Sequence, residues 1–225
     1  VPEPDFHGPS QPSMVVRLQV SHVGLNFRDV LNVLGAYPGD PGAPGSDCAA
    51  RVVSAFANVE DLISTGSLVL GHAAAALATF AFADARLLAP RPEVLSAAHA
   101  CTLPTTWSAV HTAFIGSALH SREGILVHAG TGGVGLACFE YSSWLGLQIG
   151  MTAGRPYKHA HVRSLGVRGL LWSSREAGSF ARGSAMLLRS ARLHCVLNSL
   201  SADFISCSCL LYTSPSPRDL STSRM

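Results

Sequence analysis

Residues 130–135 read Gly130-Thr131-Gly132-Gly133-Val134-Gly135, a G-x-G-x-x-G pattern set between an apolar run with strand character (124–129) and a run with helical spacing (134–145). That placement constrains the fold more than any other feature of the chain. Gly130 permits a tight turn, Gly132 removes the side chain that would block a pyrophosphate, and Gly135 lets helix and strand approach closely. The N-terminus of the helix then faces the anion. Spelled alone, the pattern also fits an empty glycine turn; between strand and helix, with a further strand over 148–153, it favours a dinucleotide site. Beyond it the spacing predicts a helix over 156–165 with Pro156 in its first turn, and strands over 169–172 and 194–198. Strands alternating with helices at this interval predict an α/β fold, a doubly wound parallel sheet of Rossmann type over residues 105–208.

The first half reads differently. Val16, Leu18 and Val20 alternate with Arg17, Gln19 and Ser21, the period of a strand with one buried face. Asn26 offers an N-cap for a short helix carrying Phe27, Val30, Leu31 and Leu34 and stopped by Gly35. Residues 37–45 are thick with Pro and Gly and predict a loop. Short segments over 47–88 predict the small strands of a β-rich domain covering residues 1–104, after which Pro104 opens a helix over 107–119.

Composition excludes several function classes. With 225 residues and 48% hydrophobic content, the chain can bury the core of one large domain or two modest ones. Charged residues make up 13% and the formal net charge is +2, so the basic footprint needed to bind nucleic acid is missing. The longest apolar run, 73–82, is far shorter than the roughly 20 residues that span a bilayer, so no membrane association is expected. The opening residues carry neither a positive segment nor an apolar one, which excludes a signal peptide from the expectation, and the chain reads as starting inside a longer protein. The six cysteines form no C-x-x-C pair, which predicts buried free thiols, a cytoplasmic setting and no metal site.

An NAD-preferring site places Asp or Glu about 20 residues beyond the glycine loop, at the end of the second strand, for the ribose 2′-hydroxyl. This chain has none there. Gly154 and Arg155 close the second strand, Lys158 follows one helical turn later and Arg175 follows the third strand. Singly these would be solvated surface charges; together they suit a 2′-phosphate, to which Lys and Arg form charge-assisted hydrogen bonds.

The pattern also resembles a known family. Residues 24–31 (GLNFRDVL), 34–39 (LGAYPG), 45–49 (GSDCA), 126–135 (LVHAGTGGVG), 152–154 (TAG) with Lys158, 165–167 (LGV), 173–175 (SSR) and 196–201 (VLNSLS) run collinearly from about residue 16 to 205. They are similar to the enoylreductase domains of polyketide synthases, a zinc-free branch of the medium-chain dehydrogenase/reductase superfamily shared with animal fatty acid synthase. The resemblance implies a GroES-like substrate domain before the Rossmann-like one. It implies NADPH as cofactor and an enoyl thioester on an acyl carrier protein as substrate, with neighbouring synthase domains as partners and homodimerisation through the parent synthase. It places Asn198 beside the cofactor with the glycine loop, and Tyr37 as the proton donor; Tyr37 reads equally as a loop tyrosine capping the cleft. Asn26, Arg28 and Asp29 either flank that cleft or brace their own helix, and His128 is expected to pack under the glycine loop. Two other readings stay open: a stand-alone zinc-free quinone or enone reductase, and a non-catalytic dinucleotide-binding module.

Ala50, Ser67 and the loop around Asn58 depart in detail from the family pattern, and the family's later Lys and Asp proton-donor candidates are expected beyond Ile205. Residues 209–219 (CLLYTSPSPRD) instead resemble a translated sequencing adapter, so residues 209–225 are expected to be non-native; a natural Ser/Pro-rich linker has the same composition.

Overall fold

The computed structural model describes residues 14–55, 59, 62–169, 171–175, 193–199 and 208. Cys207, Cys209 and the adapter-like stretch 209–225 lie outside these. The chain divides into two compact units, Val1–Ser108 and Ala109–Met225.

In the first unit β1 (Val15–Gly24), β2 (Asp47–Ala55), β3 (Leu68–His72), β4 (Phe80–Asp84) and β5 (Leu88–Pro90) form an antiparallel sheet in the order β4-β1-β2-β3-β5. The alternation read in β1 is realised: Val16 and Leu18 are buried while Arg17, Gln19 and Ser21 are exposed. They meet Val52, Val69, Ala81 and Ala83 in the core. Helix α1 (Phe27–Val33) follows Asn26 as its N-cap, and Gly35 takes a left-handed φ of 64° just past its end. A one-turn helix α2 (Ala97–Ala100) packs on β1 and β2, and no side chain fits at Gly24, where a Cβ would lie 2.0 Å from Cys101 O. Helix α3 (Pro104–Ser117) starts at the predicted proline.

In the second unit β6 (Gly124–Val127), β7 (Gln148–Ala153), β8 (Leu171–Ser173) and β9 (Leu193–Leu197) are all parallel, in the order β8-β7-β6-β9. The chain therefore steps outward from β6 to one side, through α4 (Gly133–Leu145) and α5 (Pro156–Ser164), and later reaches β9 on the other side of β6. That reversal beside β6 is the topological switch point where such sheets bind ligands, outside the carboxyl ends of the strands. Ile125, Leu126, Val127 and Met151 are at most 1% exposed, as central parallel strands covered on both faces require.

Most boundaries fall within one to three residues of the sequence expectation, and two of the differences have a local cause. The strand predicted over 124–129 ends at Val127, because Ala129 adopts a left-handed φ of 51° that no strand continues through. The strand predicted over 169–172 begins at Leu171, since Gly169 passes so close to β7 that a Cβ would lie 1.7 Å from Ile149 O.

Candidate functional site

The glycine loop lies at the carboxyl end of β6, at the switch point. Its three signature glycines do different things. A Cβ on Gly130 would sit 2.9 Å from Met151 Sδ, so the loop is pressed on β7, and Gly130 N donates to Thr152 O at 2.8 Å. A Cβ on Gly135 would lie 2.6 Å from Gly130 Cα and 2.7 Å from Ala129 O, so helix and turn touch there with no room for a side chain. Gly132 is different, because an added Cβ would meet only Ala129 O, at 3.3 Å, and is otherwise in open space. The protein leaves that space clear.

Gly132 is also the N-cap of α4; it has no side chain to close the helix end, and the first turn holds no acidic residue. Helix geometry leaves the N–H groups of Gly133, Val134 and Gly135 without intrahelical acceptors, and the helix dipole adds partial positive charge. An open cradle, unsatisfied donors and no carboxylate fit a pyrophosphate. Thr131 and Val134 are half-buried at the rim.

At the end of β7, Gly154 lies under the third strand's outgoing loop: a Cβ there would be 3.1 Å from Arg175 Nε and 3.2 Å from Ser174 Oγ. Arg155 is the exposed N-cap of α5, Lys158 lies half-buried in its first turn, and that turn also lacks acidic residues. Among the described residues none of these three cations is paired with a carboxylate. Asn198 is exposed directly after β9, so it lies at the same end of the sheet as the glycine loop.

His128 packs beneath the loop at 1% exposure, with Nδ1 3.2 Å from Thr152 Oγ1 and Nε2 3.0 Å from Ser208 Oγ. Burial lowers its pKa to about 4, so the ring is neutral near pH 7. Thr152, Ser199 and His159 complete the strand ends. Ser199 Oγ donates to His128 O at 3.1 Å, and His159 Nε2 lies 2.7 Å from Ala153 O. The sequence reading gave these residues no supporting role, although Thr152 and Ser199 stand in the family-like stretches 152–154 and 196–201; the physical signal for Thr152 is a hydroxyl in an otherwise apolar strand end.

In the first unit, Asp29 is braced rather than offered to a ligand. It is buried, and its carboxylate accepts from Asn26 N at 2.8 Å and Gly45 N at 2.9 Å. Arg28 donates to Pro41 O, and its guanidinium carbon lies 5.8 Å from the centre of the half-buried Tyr37 ring. An open cleft in this unit is lined by Arg28, Ala43, Ser46, His72, Phe82 and Asp84.

The sequence reading missed Asp47, which is 1% exposed. Its Oδ1 accepts from Thr105 Oγ1 at 2.6 Å and pairs with His72 Nδ1 at 3.1 Å, while Oδ2 accepts from Thr105 N at 3.0 Å. Burial alone would raise its pKa, but hydrogen bonds from His72, Thr105 and Asn26 outweigh this and hold it below the usual carboxylate range. Neighbouring Cys48 is pushed up to about 12 by burial, with Asp47 and Cys101 adding repulsion, so its thiol is inert. Cys48, Cys101, Cys138 and Cys195 are free. Among the described residues no cluster of His, Cys, Asp and Glu is arranged to hold a metal ion, and no helix is long and apolar enough to cross a membrane.

The chain matches no protein-family model. It is 38% identical over 206 residues to erythronolide synthase EryA2 of Saccharopolyspora erythraea, covering 91% of this chain and 6% of that synthase. It is likewise 38% identical over 209 residues to the spectinabilin polyketide synthase system protein NorB of Streptomyces orinoci, covering 92% of this chain and 9% of that protein. The chain thus spans a small fraction of the length of these relatives. Among solved structures it is similar to CurK enoyl reductase, with a TM-score of 0.78 at 28% identity over 91% of this chain and 65% of that one. The quinone oxidoreductase of Thermus thermophilus, solved also in complex with NADPH, has a TM-score of 0.67 at 26% identity, over 90% of this chain and 63% of that one.

Proposed function

Because the chain belongs to the polyketide synthase enoyl reductases of the medium-chain dehydrogenase/reductase superfamily, we propose that it binds NADPH and reduces an α,β-unsaturated acyl thioester presented on an acyl carrier protein. The observation that carries this reading is the clear cradle over Gly132 at an uncapped, acid-free helix start, flanked by Arg155, Lys158 and Arg175. When bound, the cofactor supplies a hydride equivalent to C3 of the alkene.

Each residue then has an assigned task. The N–H groups of Gly133, Val134 and Gly135 bind the pyrophosphate, with Thr131 at the rim and Gly130 anchoring the turn. Gly154 lets Arg175 close over the strand end beside the ribose, where Arg155, Lys158 and Arg175 take the 2′-phosphate, and Asn198 orients the cofactor at the neighbouring strand end. Tyr37 gives its phenolic proton to C2 of the enolate and recovers one from water. Arg28, against the Tyr37 ring, fixes its direction. Residues 1–104 serve as the substrate domain and 105–208 as the cofactor domain, with neighbouring synthase domains delivering the thioester.

The phosphate assignment is tested by comparing NADPH and NADH affinity. The chain should prefer NADPH, and Lys158→Ala or Arg175→Ala should each weaken NADPH by about tenfold, the loss of one charge-assisted contact, while leaving NADH unchanged. Equal affinity for both nucleotides would refute it. The likeness to a quinone oxidoreductase favours a second substrate class, free quinones; turnover of a crotonyl thioester but not of a quinone decides for the synthase reaction. NADPH binding with turnover of neither identifies a non-catalytic module.

A further inference from the structure

Thr152 is fully buried near the end of β7, and its atoms meet three successive residues of the turn that leaves β6. Its Oγ1 accepts from Ala129 N at 3.2 Å and lies 3.2 Å from His128 Nδ1, while its carbonyl accepts from Gly130 N at 2.8 Å. The middle residue of the three, Ala129, is held at a φ of 51°, a region that residues with a Cβ avoid. Such a conformation persists only where the surroundings enforce it. The geometry then passes down the chain, because Gly132 N donates to Ala129 O at 2.8 Å and Gly132 caps α4.

We propose that Thr152 is a positioning residue for the dinucleotide: its hydroxyl holds Ala129 in the left-handed turn and so aims the N–H groups at the start of α4 toward the pyrophosphate. This rests on reading the glycine loop as the dinucleotide site. The hydrogen-bond chain is self-consistent. With the His128 ring neutral and its Nε2 proton directed to Ser208 Oγ, the Thr152 hydroxyl donates to Nδ1 and accepts from Ala129. Valine at 152 would keep nearly the same shape and lose both bonds.

The test uses the full chain with Thr152→Val, Thr152→Ser and the double variant T152V/A129G. Two readouts are needed: amide hydrogen exchange of residues 129–133 without ligand, and NADPH affinity by fluorescence titration. T152V should speed exchange at Ala129 and Gly130 and weaken NADPH binding, each by about tenfold. T152S should restore both. Adding A129G to T152V should recover most of the lost affinity, because glycine enters the left-handed region unaided. Should T152V fail to fold, Ala129→Val with Thr152 intact reproduces the same two losses, since a β-branched residue resists that region. Exchange insensitive to T152V, or an affinity loss that A129G leaves uncorrected, would overturn the positioning role alone. A wild-type chain that binds no NADPH would overturn the reading of the site, and with it the task assigned to Thr152.

Discussion

At the start of α1 the chain provides its own anion: Asp29, buried in the first turn, accepts from Asn26 N at 2.8 Å and from Gly45 N at 2.9 Å. At the start of α4 it provides none, because the cap is Gly132, the first turn lacks acid and the space in front is clear. Both helix ends present the same kind of orphan N–H groups. The contrast separates a helix start closed by its own side chain from one left open, which under the proposed function is a place for the cofactor. Sequence alone shows both an Asn cap and a glycine cap; only the location of the nearest carboxylate distinguishes their purposes.

The contrast can be broken or sharpened by substitution. The largest effect is expected from Gly135→Val, which forces a side chain into the contact with Gly130 and Ala129. It should destabilise the second unit by about 3 kcal/mol and abolish NADPH binding, as read by thermal melting and titration.

A comparable effect comes from acid. The His128 pKa is about 4 in the folded chain against 6.5 as its ordinary value. The unfolded chain therefore binds more protons between these values, so stability falls as pH drops from about 6.5 to 4, by at most about 3 kcal/mol. Denaturant midpoints across that window check this, and His128→Gln should flatten the curve. Asp47 is an acid rather than a base, yet the sign is the same: its lowered pKa makes its contribution fade as pH falls, beginning only below about pH 4.

Asp29→Asn should cost about 1–3 kcal/mol, since a buried acceptor pair is broken, and leave NADPH affinity unchanged. Smallest in stability is Val134→Asp, which gives α4 the kind of acid that α1 has. The helix should gain up to about 0.5 kcal/mol from its dipole while NADPH affinity falls about tenfold. If instead V134D left affinity intact, the open-end interpretation would fail.

Much of this architecture was legible because local signals agree with it. The alternation through Val16, Leu18 and Val20, the prolines at 104 and 156 and the glycine at 35 each act within a few residues, and each marks the element it predicts. What stayed hidden depends on distance along the chain. Asp47 received no role from the sequence because its partners, His72 and Thr105, are 25 and 58 residues away. Ala129 carries no sign of a left-handed turn, because its conformation is imposed by Thr152 on another strand. The assigned roles of Tyr37 and Asn198 came from the family pattern, not from any local physical signal.

The strand order also sets a clock on synthesis. β6 is the inner strand of its sheet, yet one of its neighbours, β9, pairs Leu193 with Gly124, 69 residues earlier. At roughly 5–20 residues per second, that partner leaves the ribosome on the order of 3–14 s after β6 does. During that interval one edge of an almost wholly apolar strand has no native mate, and the rate at which the chain is made becomes a determinant of how much of it folds rather than aggregates.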